Sequence, residues 1–244
     1  MSSHEYQITV FSPEGKLHQV EYAIKAIKLS GLTSVGVRGK DSVVVITQKK
    51  VEDSLIESES VSNLVRITPS IGCLITGRES DGKAWATRLR QEAFDFLKEN
   101  GTPISIDTLA MRAGDLAQLY TQKFSIRAYA AELILYSVDS LLGPQLFKID
   151  PAGHFYGYFA VSAGLKEQEA MNFLEKELGK KENFSSLDLN QTIRLAIETL
   201  QQTIGQDFKS GDIEISYVDS GSMTYKKLNE NEIDHNLKIV QKFE

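Results

Sequence analysis

GLTSVGVRGKDSVVVIT at residues 31–47 and LVRITPSIGCLITG at residues 64–77 are the stretches that decide the fold class. Each holds two short apolar runs rich in Val, Ile and Leu around a break of turn residues, Arg38-Gly39-Lys40-Asp41 in the first and Pro69-Ser70 in the second. Side chains branched at Cβ pack well on a pleated surface, and Gly and Pro punctuate it. Four such runs in close succession predict antiparallel sheet.

The period then changes. Ala86, Leu89, Ala93 and Phe96 share one helical face before Asn100-Gly101, and Leu109, Ala113, Leu116, Ala117 and Tyr120 share another after Pro103. Strand patterning returns in AELILYSVD (131–139), QLFKID (145–150) and FYGYFAVSA (155–163), with breaks at Gly143-Pro144 and at Asp150-Pro151-Ala152-Gly153. Two further helical stretches, Glu167 to Leu178 and Leu189 to Ile204, precede a last long strand, DIEISYV. A terminal helix from Glu230 to Phe243 is capped by Asn229, with Glu232 three residues on. Strands grouped apart from paired helices predict an α+β fold of four layers, an αββα sandwich with two antiparallel sheets face to face. With no Gly/Ser-rich linker, residues 1–244 read as one domain.

Composition narrows the function classes. Net charge is -6 with no long basic tract, so nucleic-acid binding has no electrostatic support. No apolar run approaches the ~20 residues of a membrane span, and MSSHEYQ at the start holds no signal-like apolar segment, which together predict an intracellular, membrane-free setting. The one cysteine, Cys73, sits in the apolar run IGCLITG and reads as a buried strand residue. His4, His18, His154 and His235 are far apart and show no i,i+4 pairing, so neither a metal nor another cofactor is expected. The acidic tract Glu52 to Glu59 reads as a solvated loop.

Upstream of the strands, ITVFSPEGKLHQVEYAIKAI (8–27) reads as a short strand, Ile8 to Phe11, a turn at Ser12-Pro13-Glu14-Gly15, and an amphipathic helix, Leu17 to Leu29, with Leu17, Val20, Ala23, Ile24 and Ile27 on one face. SPEG-x-L-x-QVEYA in this stretch and GP-x-LF-x-x-DP-x-G at 143–153, together with TQKKV, LYTQ and FLEKEL in order, resemble the alpha-type subunits of the proteasome core particle along nearly the whole chain. GLTSVGVRGKD followed by TQKKV is most similar to the type 1 branch of that family, called type 6 in vertebrates.

The resemblance implies a sandwich of the N-terminal-nucleophile hydrolase type with an added N-terminal helix, divided into a gate tail (1–7), a strand, turn and first helix (8–29), and the sandwich with its terminal helix (30–244). It also implies an inactive subunit. Superposing GLTSVGV on the strand of the proteolytic beta type puts Leu32 at the nucleophile position and Gln48 at that of the supporting aspartate. Leucine offers no nucleophile, a neutral amide is a poor substitute for a carboxylate, and the amine of Thr33 is tied up in a peptide bond. The resemblance further implies ring assembly with neighbouring alpha subunits, docking on the beta ring, and service to a regulatory particle or other activators and to polypeptide substrates in transit, in the cytoplasm and nucleus. Pro13 and Tyr22 match the family's gate cluster, but its Tyr-Asp-Arg places fall on His4, Glu5 and Tyr6. Asn63 stands where the family holds a lysine that receives activator carboxylates. After LYTQ an Arg-Pro-x-Gly turn is replaced by Arg127-Ala128-Tyr129-Ala130.

Three readings compete: a structural and gating subunit, a free-standing hydrolase of the same fold, and a regulatory binding protein outside any ring. Ser2 as an N-terminal nucleophile helped by His4 or Glu5 is disfavoured, because nothing in the sequence holds it in an attacking geometry.

Overall fold

The computed structural model describes residues 9–51, 53–179, 184 and 186–240. Its elements are α1 (His18–Leu29), β1 (Thr33–Arg38), β2 (Ser42–Gln48), β3 (Leu64–Arg66), β4 (Gly72–Gly77), α2 (Glu79–Asn100), α3 (Ile106–Gln122), β5 (Ala131–Asp139), β6 (Gly143–Ile149), β7 (Phe155–Gly157), β8 (Ala160–Gly164), α4 (Glu167–Leu178), α5 (Leu189–Ile204), β9 (Ile213–Asp219), β10 (Tyr225–Lys227) and α6 (Glu230–Val240). One sheet runs β10-β9-β2-β1-β8 and the other β3-β4-β5-β6-β7, with every pairing antiparallel.

The four early runs therefore do not share one sheet. β1 and β2 form a hairpin in the first sheet, whereas β3 and β4 pair in the second. FYGYFAVSA is likewise not one strand: the chain leaves the second sheet after Gly157 and enters the first at Ala160. Thr9 to Phe11 form a turn and bend rather than the expected strand, and Ile8 lies outside the described residues. β10 was not foreseen, since its YKK sequence lacks apolar alternation and it pairs only along an edge.

Near-continuous burial explains why the central strands look apolar throughout. Val44 and Ile46 of β2 face α5 and its neighbours, where Ile193, Ile197 and Leu200 pack, while Val43 and Val45 point between the sheets. Leu133 and Leu135 of β5 meet Trp85, Leu89 and Leu109 of α2 and α3, while Ile134 and Tyr136 enter the inter-sheet layer. A strand covered on both faces gives no polar alternation. Cys73 is fully buried here, and burial pushes its thiol up to about 12.

Tyr136 ties the layers together. Its ring crosses the inter-sheet space so that its hydroxyl lies 2.5 Å from Ser216 Oγ on β9. The ring needs the space beside Gly72, where a Cβ would come within 2.2 Å of Tyr136 Cζ. At the far end of the chain, the Asn229 side chain accepts from the Glu232 N–H at 2.9 Å and Glu232 accepts from the Asn229 N–H at 2.8 Å, the reciprocal cap expected from sequence. Tyr136→Ala is expected to cost about 3–5 kcal/mol in a denaturant melt, the range for emptying a large aromatic site in a core.

Candidate functional site

α1 lies across one end of the sandwich because its apolar stripe has a fitted seat there. Ala23 and Ile27 are buried, and Ile27 Cγ1 lies 3.0 Å from where a Cβ on Gly77 would stand. Gly77 has φ of 120°, and a side chain there would also press on Ala130 O at 2.6 Å. Only glycine suits both conditions. The opposite face of α1 stays in water, with Glu21, Tyr22, Lys25 and Lys28 exposed, while Lys16 and His18 lie 3.6 Å from Glu21.

Just beyond α1 in the chain, Leu32 is buried and its carbonyl accepts from the Leu165 N–H at 2.9 Å. The Thr33 peptide N–H donates to Gln48 Oε1 at 3.0 Å. Gln48 thus lies at the start of β1, bonded to the peptide nitrogen that follows Leu32. Ser34 Oγ lies 2.8 Å from Thr47 Oγ1 and accepts from Thr76 Oγ1 at 2.7 Å, while Ser162 Oγ donates to the Ser34 carbonyl at 2.8 Å. These hydroxyls satisfy one another in the fully buried layer, with no imidazole or amine as base among these contacts.

The turn before α1 is closed by the Gly15 N–H to the Ser12 carbonyl at 2.8 Å and the Ser12 N–H to the Lys16 carbonyl at 2.9 Å, with Gly15 at φ 75°. Pro13 and Tyr22 are both exposed, and Tyr22 stacks on His18 at 6.2 Å. His4, Glu5 and Tyr6 lie outside the described residues. Asn63 is elsewhere, at the entry to β3. Its N–H donates to Glu214 Oε2 at 2.9 Å and its carbonyl accepts from the Ile75 N–H at 2.9 Å. Glu214 is itself paired with Lys227, whose ammonium donates to Ser62 Oγ at 3.0 Å. Sequence reading missed this Glu214–Lys227 pair. The available signal was a lone charge among the apolar residues of DIEISYV.

Arg127 explains how the turn after α3 survives without Pro and Gly. Its guanidinium holds Asp81 with two nitrogens, one of them at 2.7 Å, and Asp81 Oδ2 also accepts from the Ala130 N–H at 2.9 Å. Asp81 is nearly buried in the first turn of α2. The Arg127 hydrogen bond, helped by the Ala130 N–H, holds its carboxyl below the usual range.

Residues 29–218 match the family described as "Proteasome subunit", and residues 4–26 match the N-terminal signature of the A-type proteasome subunits. The chain belongs to the proteasome alpha-subunit family. It is 43% identical to the "Probable proteasome subunit alpha type-1" of Schizosaccharomyces pombe, over 96% of this chain and 94% of that one. It is 39% identical to "Proteasome subunit alpha type-6" of Caenorhabditis elegans over the same shares, and 34% identical to "Proteasome subunit alpha" of Sulfolobus acidocaldarius over 94% and 93%. The type-1 and type-6 names agree with the branch read from GLTSVGVRGKD. Residues 9–26 of that signature fall on the turn before α1 and on α1 itself.

Asp81→Asn is expected to lower stability by about 1.5–3 kcal/mol at neutral pH, the range for a hydrogen bond to a charged group. A carboxyl held below its unfolded value stabilises above that value and loses the contribution as pH falls through the folded one. The gap between wild-type and variant melting temperatures should therefore narrow below about pH 4.

Proposed function

We propose that this chain is a non-catalytic structural and gating subunit of a proteasome outer ring. The observation that carries this reading is the start of β1 just beyond α1 in the chain, with a leucine in the nucleophile position and the next peptide N–H spent on Gln48. Peptide cleavage of the N-terminal-nucleophile kind needs a hydroxyl or thiol beside a free amine. Leucine at that position carries neither group, and a free amine at Thr33 would require cleavage of the chain after α1.

On this reading the single unit packs side by side with neighbouring alpha subunits, stands on a beta ring, and meets a regulatory particle or other activator on the exposed α1 side. Polypeptides bound for ubiquitin-dependent degradation pass through the ring, in cytoplasm and nucleus. No helix among the described residues is long and apolar enough to cross a membrane. Pro13 and Tyr22 provide the fixed part of the gate, and His4, Glu5 and Tyr6 its tail. His4 in place of the family's tyrosine gives the gate a pH response near the ordinary histidine pKa of ~6.5. A particle carrying His4→Phe should lose that response in its peptide-hydrolysis rate, and an unchanged pH profile would rule it out.

Asn63 makes the pocket for activator tails weak, since it lacks an ammonium and Lys227, which donates to the adjoining Ser62, is already paired with Glu214. Asn63→Lys should raise affinity for an activator tail peptide about tenfold, the worth of about 1.4 kcal/mol. Unchanged affinity would exclude the site from tail capture.

The purified chain alone should show no hydrolysis of fluorogenic peptides above buffer. Turnover that copurifies with the chain and disappears in Thr33→Ala would instead favour a free-standing hydrolase.

A further inference from the structure

β7 and β8 are the outermost strands of their sheets, and a groove runs along the edge they share. Gly157 ends β7 in the second sheet and Ala160 begins β8 in the first, so Tyr158 and Phe159 cross between the sheets and form one wall. α4 forms the other with Met171, Leu174 and Leu178 before it stops at Gly179. The groove holds about 500 Å³, within the ~300–1,000 Å³ of ligand sites. Glu175, on the α4 wall, is the one charged side chain among its described lining residues.

Arg38, the last residue of β1, stands beside this groove. Its N–H donates to the Phe159 carbonyl at 2.9 Å, and its guanidinium carbon lies over the Phe159 ring, 5.3 Å from the centre. That ring in turn meets Phe184 at 5.4 Å. The face of the guanidinium is therefore spent on an aromatic, whereas its N–H edge has no acid to bind: among the described residues no ion pair includes Arg38. The residue is half-buried, and burial pushes its pKa down with no neighbouring carboxylate acting the other way. An arginine so placed has lost water and gained no anion.

We propose that the groove receives a segment of a neighbouring polypeptide in which a bulky apolar side chain is followed by an aspartate or glutamate. The apolar side chain enters between Phe159 and the Met171–Leu174 wall, and the carboxylate meets the free edge of Arg38. A guanidinium stacked on a ring still presents parallel N–H donors in its own plane, the fork that a carboxylate takes with both oxygens. Charge sets the direction of the segment, because Glu175 repels an acid from the α4 wall and Arg38 attracts it to the β1 side. A cationic ligand would meet the like charge of Arg38 instead. The position at the shared edge of the two sheets turns the groove sideways from the sandwich, where a second chain can lie along it. That this chain is another subunit rests on the ring reading above, whereas the pairing of an apolar side chain with a carboxylate does not.

The test is a calorimetric titration of the purified full chain with acetyl-Gly-Phe-Glu-Gly-amide and with its Phe-Gln and Ala-Glu counterparts. The Phe-Glu peptide should bind saturably, and each counterpart at least about tenfold more weakly, one for want of the charge-assisted pair and the other for want of the buried aromatic. Arg38→Met, which keeps an apolar stem on Phe159, should bring the Phe-Glu and Phe-Gln peptides to equal affinity. Comparison of the peptides on the unaltered chain decides the matter even where that substitution disturbs the fold. No saturable binding, equal affinity of Phe-Glu and Phe-Gln for the unaltered chain, or a preference that persists in a folded Arg38→Met chain would overturn the proposal. Acetyl-Gly-Phe with a free carboxylate binding more tightly than the Phe-Glu peptide would overturn the internal segment in favour of a chain end. 3-Phenylpropionate binding as tightly as the peptide would overturn it in favour of a small carboxylate. None of these outcomes bears on whether the chain assembles in a ring.

Discussion

The seat of α1 is the constraint on which the rest depends. A two-sheet sandwich is open at the ends of its strands, where backbone groups and the inter-sheet layer would meet water. Ile27 closes this end by packing on Gly77, a position whose φ and crowding admit no side chain. The contact holds α1 against the ends of β4 and β5 and decides which face of α1 remains for other molecules. Ala23 and Ile27 supply the buried area, and Tyr22 and Lys25 remain outside.

Buried polar groups at the start of β1 and on its neighbouring strands are bonded to one another. Ser34, Thr47, Thr76 and Ser162 are fully buried and joined by hydrogen bonds through Ser34, while the neighbouring Thr33 N–H donates to Gln48. A buried polar group is tolerable when it is bonded and costly when it is not. Glu132, buried at the same end, has Lys148 beside it at 3.4 Å.

Most of the fold could be read from period and punctuation, because the helices are long and amphipathic and the strands carry branched apolar residues. The helices α4 and α5 match their sequence bounds residue for residue, and the Asn229 cap is as expected. Partnering between strands was less legible. Adjacent hairpin-like runs carry no mark that sends β1–β2 to one sheet and β3–β4 to the other, since both faces of each are buried. Thr9 to Phe11 look strand-like from their composition but have no edge to pair with in the described structure. At the site, Gln48 is bonded to the Thr33 N–H, the peptide nitrogen after Leu32. The Asp81–Arg127 and Lys148–Glu132 pairs were invisible, because each joins residues brought together only by the tertiary fold.

Native mass spectrometry of material isolated through an affinity tag on this chain tests the central claim most directly. The account predicts a large particle in which the chain sits with different alpha-type and beta-type subunits, and no appreciable monomer. A stable monomer, or a ring built only of copies of this chain, would contradict it.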